Sequence, residues 1–147
     1  MRAPPEVRFQ RLQKLIDRVN DEADKGSVII VEGLRDREAL RAMGIKGAIL
    51  CLQSSRKNAT MFAEDLEGEK KVIVLTDFDR EGVFLAKKLA RTLTSQNIHA
   101  DLVLWRELRN LTRSDLRSIQ ELPNLYARLQ TELYLHRSPV ADIRHGS

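Results

Sequence analysis

The chain has 147 residues, 42% of them hydrophobic and 31% charged, which gives one domain with a real core and excludes a disordered chain. No apolar run nears the roughly 20 residues that cross a bilayer, and the opening MRAPPEVRFQ lacks the apolar stretch of a signal peptide, so a cytoplasmic location without membrane contact is expected. A formal net charge of +4 leans mildly towards a polyanionic partner.

After Pro4-Pro5 the residues Phe9, Leu12, Ile16, Val19 and Ala23 recur at helical spacing, and Gly26 suits the end of that helix. Residues 1–26 therefore read as a helix covering one sheet face. Ser27 to Val31 is a continuous apolar run, the pattern of a strand buried on both faces. Glu32-Gly33 follows it, and a helix starts near Arg35. A lone glutamate there is ordinarily a solvated loop acid, and Asp36 stands in a first helical turn, where acids are favoured anyway. A third apolar run, Ala48 to Leu52, holds the single cysteine, Cys51, which excludes an internal disulfide or a cysteine zinc cluster. It runs into Gln53-Ser54-Ser55-Arg56-Lys57-Asn58, a polar loop that can cradle phosphate.

Lys71 to Leu93 organises the rest. The strand Val72 to Leu75 ends in Asp77-Phe78-Asp79-Arg80-Glu81-Gly82, and Val83, Ala86, Leu89, Ala90 and Leu93 then recur at helical spacing, with Lys87, Lys88 and Arg91 on the other side. Residues two apart in an extended segment point the same way, so Asp77 and Asp79 can face one ion. The plainer reading is that Asp79 caps the helix and Glu81 favours its positive end. Ile98 to Trp105 alternates and reads as a fourth strand at a sheet edge. Beyond it Trp105 to Arg113 is basic and irregular, Ser114 caps a short helix ended by Pro123, and Asn124 caps a last helix with Leu125, Leu129 and Leu133 on its apolar face.

Strand alternating with helix means βαβ units, and the carboxyl ends of parallel strands lie together. Glu32, Asp77, Asp79 and Glu81 would thus gather at one edge. Such like charges repel without a cation, and oxygen-only donors suit Mg²⁺ or Mn²⁺. Glu32, from a different strand, is the acid left for proton transfer. Arg35, Arg56, Lys57 and Arg80 fall in loops or first turns at that edge and can bind phosphate; Arg80 can equally be a surface ion-pair partner. Arg109 and Arg113 belong to a second basic stretch that is as readily a solvated helix face. Phe78 and Trp105 can stack on a base, though such aromatics are more often core.

Val31-Glu32-Gly33 with Asp36 and Ala39-Leu40, then Thr76-Asp77-Phe78-Asp79-Arg80-Glu81-Gly82, resembles the Toprim domain of topoisomerases, bacterial-type primases and several nucleases, above all its small stand-alone archaeal-type members. The resemblance covers residues 27–105, with 106–147 as a helical extension. It implies a Rossmann-like α/β fold with a four-stranded, mainly parallel sheet. It also implies Glu32 as general acid or base, Asp77 and Asp79 as Mg²⁺ ligands, with Glu81 following the topoisomerase form, and Arg80 as a phosphate clamp beside the metal. Phe78 and Val83 stand where type IA enzymes carry proline and a further glutamate. Topoisomerase activity is not expected: the length leaves no room for gate domains, and Tyr126 and Tyr134 lie on the last helix. Two readings follow. The first is a Mg²⁺-dependent nuclease or phosphotransferase acting on RNA or DNA. The alternative is a non-catalytic, metal-dependent module that binds nucleic acid or protein within a larger processing assembly.

Overall fold

The computed structural model describes residues 3–55, 58–66, 68, 69 and 71–136. In chain order these form α1 (Pro5–Asp24), β1 (Val28–Val31), α2 (Leu34–Ala42), β2 (Ile49–Cys51), α3 (Leu52–Ser55), α4 (Ala59–Asp65), β3 (Lys71–Val74), α5 (Arg80–Ser95), β4 (His99–Asp101), α6 (Val103–Thr112), a 3-10 turn (Ile119–Glu121) and α7 (Leu122–His136). The strands make one sheet in the order β2-β1-β3-β4, every neighbouring pair parallel. This is a Rossmann-like α/β fold. No helix among the described residues is long and apolar enough to cross a membrane.

The two continuous apolar runs take the centre. Ile29 and Ile30 of β1 and Val72, Ile73 and Val74 of β3 are fully buried, because helices cover both faces of an interior parallel strand. The chain steps from β1 to β2 in one direction, then crosses back to β3 and continues to β4. With right-handed crossovers, that reversal puts α2 on one face and α4 and α5 on the other. It also creates a switch point between β1 and β3, the place where open α/β sheets bind their ligands.

On one side α1 packs against α6 and α7, and α2 joins them through Leu40 and the 3-10 turn. Arg8 of α1 is buried and pairs with Asp115, which also takes Arg128 of α7 at 2.7 Å. The N-terminal helix is thereby tied to the C-terminal extension.

The fourth strand is shorter than its alternation predicts. It lies at the sheet edge, as expected, but stops at Asp101, whose carboxylate accepts the Val103 N–H at 2.7 Å and turns the chain into α6. Leu104, Trp105, Leu108 and Thr112 then recur at helical spacing and are buried, so the expected irregular basic stretch is an amphipathic helix. In the tail, Ser118 rather than Ser114 accepts the N–H of the short turn, from Gln120 at 3.3 Å. The last helix starts at Leu122, before Asn124. Pro123 does not break a helix: it sits in the first turn of α7, where a missing N–H costs nothing.

Candidate active site

Glu32 and Asp77 emerge at the switch point, from neighbouring strands. The Leu75 N–H donates to Ile30 O at 2.8 Å, carrying the pairing past β3, and the Asp77 N–H then donates to Glu32 Oε2 at 2.7 Å. Asp77 Oδ1 accepts the Ile119 N–H at 2.8 Å, while the Phe78 N–H donates to Arg117 O at 2.6 Å. The 3-10 turn region of the extension is thus clamped across the end of β3. A third acid, Asp36, is buried and accepts the Gly33 N–H at 3.0 Å. Glu32, Asp36 and Asp77 line one open cleft of about 480 Å³, together with Arg35, Gln53, Ser54, Ser118 and Gln120.

Burial pushes the Glu32 carboxyl up from 4.5 to about 7; the charges of Asp77 and Asp36 add to the rise, and the Asp77 N–H opposes it. Asp36 is also raised, by burial first and then by Asp77. A carboxyl with a raised folded pKa holds its proton more tightly folded than unfolded. Its stabilising contribution is complete below about pH 4.5 and is lost as pH rises through about 7. The metal-free protein should therefore lose about 1–2 kcal/mol across that window, a figure reduced for the partial exposure of Glu32. Glu32→Gln should flatten most of this slope. Urea unfolding at pH 5, 6, 7 and 8 in EDTA measures it, and parallel slopes in the two proteins would refute the shared burial of these acids.

The turn after Asp77 is built by contact with the α5 terminus. Asp79 Oδ1 accepts the Gly82 N–H at 2.7 Å, and Thr76 Oγ1 donates to Gly82 O at 2.8 Å. Asp79 is therefore the helix cap that the plainer sequence reading describes. Asp79, Arg80 and Glu81 are exposed and do not line the cleft. The structure brings Glu32, Asp77 and Arg35 together and leaves Asp79, Arg80 and Glu81 on its rim side. Phe78 and Trp105 are buried against each other, ring centroids 5.9 Å apart, with Trp105 Nε1 donating to Thr76 O at 2.9 Å. They are core, not base-stacking surfaces. Arg109 lies over the Trp105 ring at 5.6 Å, and Arg113 is exposed at the end of α6. Arg56 and Lys57 lie outside the described residues; beside them Asn58 caps α4, taking the Met61 N–H at 2.9 Å.

Ser118, Gln120 and the Ile119 N–H were not foreseen as part of the site. No local pattern marks them, since they arrive from more than forty residues away. Asp36 had a signal: three residues after Gly33, it occupies the reciprocal position of a capping box.

Among the described residues no group of three His, Cys, Asp or Glu side chains is arranged to hold a metal. The Glu32–Asp77 pair nonetheless fits Mg²⁺, which takes one or two carboxylates and completes its shell with water and phosphate. Burial first, and then the neighbouring charges of Asp77 and Asp36, raise the Glu32 carboxyl, and a divalent cation would offset the second of these.

The Toprim domain profile matches residues 26–103. A UPF0292 protein of Thermococcus kodakarensis, TK1411, is 38% identical over 121 residues, covering 82% of this chain and 87% of its own. A UPF0292 protein of Methanosarcina acetivorans is 32% identical over 126 residues, covering 85% and 86%. Among solved structures, a putative protein from Aquifex aeolicus superposes with a TM-score of 0.62 at 28% identity, over 75% of this chain and 96% of that one. Toprim domains generally bind Mg²⁺, and membership implies a metal-dependent, nucleic-acid-related role. With two acids at the switch point of a sheet in the order β2-β1-β3-β4, this chain belongs to the Toprim domain family, among the small archaeal-type proteins of that fold.

Proposed function

We propose that this chain is a cytoplasmic Mg²⁺-dependent enzyme that makes or breaks phosphodiester bonds in nucleic acid, a nuclease or phosphotransferase. The observation that carries the reading is the pairing of Glu32 and Asp77 across two strands, with the Glu32 carboxyl raised to about 7. A group poised near neutrality can both accept and return a proton at physiological pH. Asp77, held by the Ile119 N–H, would hold the cation, with Asp79 and Glu81 as further candidates from the family resemblance and Glu32 beside it for proton transfer. The bound ion would supply charge neutralisation on the phosphate and on the oxygens that attack and leave. Glu32 accepts the proton of the attacking water or hydroxyl as the new P–O bond forms, and the P–O bond to the leaving oxygen breaks, that oxygen taking a proton back from Glu32 or from water. Arg35, in the cleft wall, offers a bidentate phosphate contact, and Arg80, Arg56 and Lys57 are further phosphate-binding candidates from the sequence. Arg109 and Arg113 would extend the track along the extension.

A second reading keeps one observation in its favour. Asp79 is engaged as a helix cap and no three acids among the described residues are arranged to hold a metal, which suits a binding module that turns over little and works with protein partners in a processing assembly.

Calorimetric Mn²⁺ titration tests the metal. Asp77→Asn keeps an oxygen for the Ile119 N–H, so the fold should persist while affinity falls ten-fold or more. Asp79→Asn keeps the cap, since asparagine is as good an N-cap as aspartate; an equal loss there would add Asp79 to the ligands. Unchanged Mn²⁺ affinity in both variants would remove the metal site from the proposal.

A further inference from the structure

α5 leaves the switch-point edge and carries its outer face away from the cleft. Along an α-helix each residue turns about 100°, so Arg80, Phe84, Lys87, Lys88 and Arg91 fall within an arc of about 100°. All five are exposed, and Phe84 is 63% exposed although it is one of the largest apolar side chains in the protein. The opposite face, with Ala86, Leu89 and Leu93, is buried against the sheet and α4.

The charge on this face is uncompensated. α5 holds four cations against one acid, Glu81, on a chain whose formal net charge is +4. None of these cations joins the ion pairs formed among the described residues, which use Arg8, Arg18, Lys71 and Arg128. A solvated helix face ordinarily mixes signs, and its i, i+4 pairs are weakly stabilising. Here no acid of the helix stands three or four positions from any of these cations, and Lys87 and Lys88 both have Phe84 and Arg91 at that spacing. Phe84 sets one exposed aromatic ring among these cations.

Resting on the nucleic-acid reading above, we infer that the outer face of α5 is a binding track for single-stranded nucleic acid. Phosphates lie on Lys87, Lys88 and Arg91, and one unpaired base stacks on Phe84. At about 1.5 Å of rise per residue, Arg80 and Arg91 stand about 16 Å apart along the axis. That is enough for two to three nucleotides of extended strand leading towards the acid cleft. A duplex hides its bases inside the stack and could use only the cations; an unpaired strand uses both elements of the surface.

Fluorescence anisotropy in EDTA, with labelled single-stranded RNA, single-stranded DNA and a duplex of equal length, separates the parts. Each oligonucleotide is titrated across a salt series, and labelled poly-glutamate serves as an acidic-protein probe. The triple variant Lys87→Ala, Lys88→Ala, Arg91→Ala should lose at least ten-fold in single-strand affinity. It should also flatten the log–log salt slope by about two, at roughly 0.7 per phosphate contact. Phe84→Ala should cost roughly ten-fold on single strands with the salt slope unchanged, because stacking releases no counterions. The duplex should not feel it, and Phe84→Trp should restore it. A loss on RNA alone, DNA alone or both supports the track and names the sugar it accepts. Single-strand binding by the wild type that neither variant weakens overturns the track but leaves the proposed function standing. Poly-glutamate bound as tightly as single strands, with Phe84→Ala silent, overturns it in favour of an acidic protein partner. No binding of any strand by the wild type removes the nucleic-acid reading itself.

Discussion

Glu32→Gln should lower turnover by about 10²–10⁴-fold, the range that a positioned proton-transfer group contributes. Glutamine retains an oxygen for the Asp77 N–H, which Glu32 Oε2 now accepts at 2.7 Å, so the strand ends should stay in register. What it cannot do is exchange a proton near pH 7, where burial and the charges of Asp77 and Asp36 hold the glutamate. Affinity for nucleic acid should change by only a few-fold, because a proton-transfer group acts mainly in the transition state. Cleavage of a structured RNA and a single-stranded DNA, with Mg²⁺, Mn²⁺ or EDTA, provides the measurement. Wild-type rates in the variant would exclude Glu32 as acid or base. Absence of cutting by the wild type in every condition would leave the binding-module reading in possession.

Gly82→Ala should be the most damaging substitution of a small residue. A Cβ at this position would meet Asp77 O at 2.0 Å, Asp77 C at 2.5 Å and Asp77 Cα at 3.0 Å, all of them backbone atoms that cannot rotate away. The α5 terminus would have to retreat from the strand end. Both the Asp79 cap on the Gly82 N–H and the Thr76 hydroxyl bond to Gly82 O depend on that approach. Overpacking costs about 1–3 kcal/mol and a weakened cap about 1 more, so a loss of about 2–4 kcal/mol and roughly 10 °C in Tm is expected. Because the clash falls on Asp77 itself, metal affinity should fall with stability. Gly33→Ala is the useful contrast: the one tight contact of its Cβ is the end of the Gln53 side chain, at 2.8 Å, which can move. Its stability cost should stay under about 1 kcal/mol. Equal melting temperatures for Gly82→Ala and the wild type would mean that the turn is looser than its geometry requires.

Much of the fold was legible because its signals are local. Val28–Val31 and Val72–Val74 are apolar on both faces, so their runs are continuous, the pattern of interior parallel strands. The α5 stripe and the C-terminal glycine of α1, at φ 99°, are equally local. β4 is shorter than its alternation suggests because only three of its residues pair; the alternation beyond Asp101 is accidental, and burial of Leu104, Trp105 and Leu108 decides for helix. The tail caps failed for a related reason. Ser114 and Asn124 are chemically adequate caps, but the start of the turn was settled by the pull of Asp77 and Phe78 on residues 117–119.

The sequence by itself determined the sheet, its parallel sense and the appearance of Glu32 and Asp77 at strand ends, since each follows from residue patterns a few positions long. Only the tertiary structure decided which acids share a cleft. Asp79 is two residues from Asp77 yet spends its carboxylate on the α5 cap, whereas Asp36, forty-one positions away, is buried beside Glu32 and Asp77. Strand order decides this: it sets β1 beside β3 and brings the extension down on their ends. A carboxylate's partners are fixed by what the fold packs within about 3 Å of it, and for Glu32 and Asp77 that includes atoms distant in sequence.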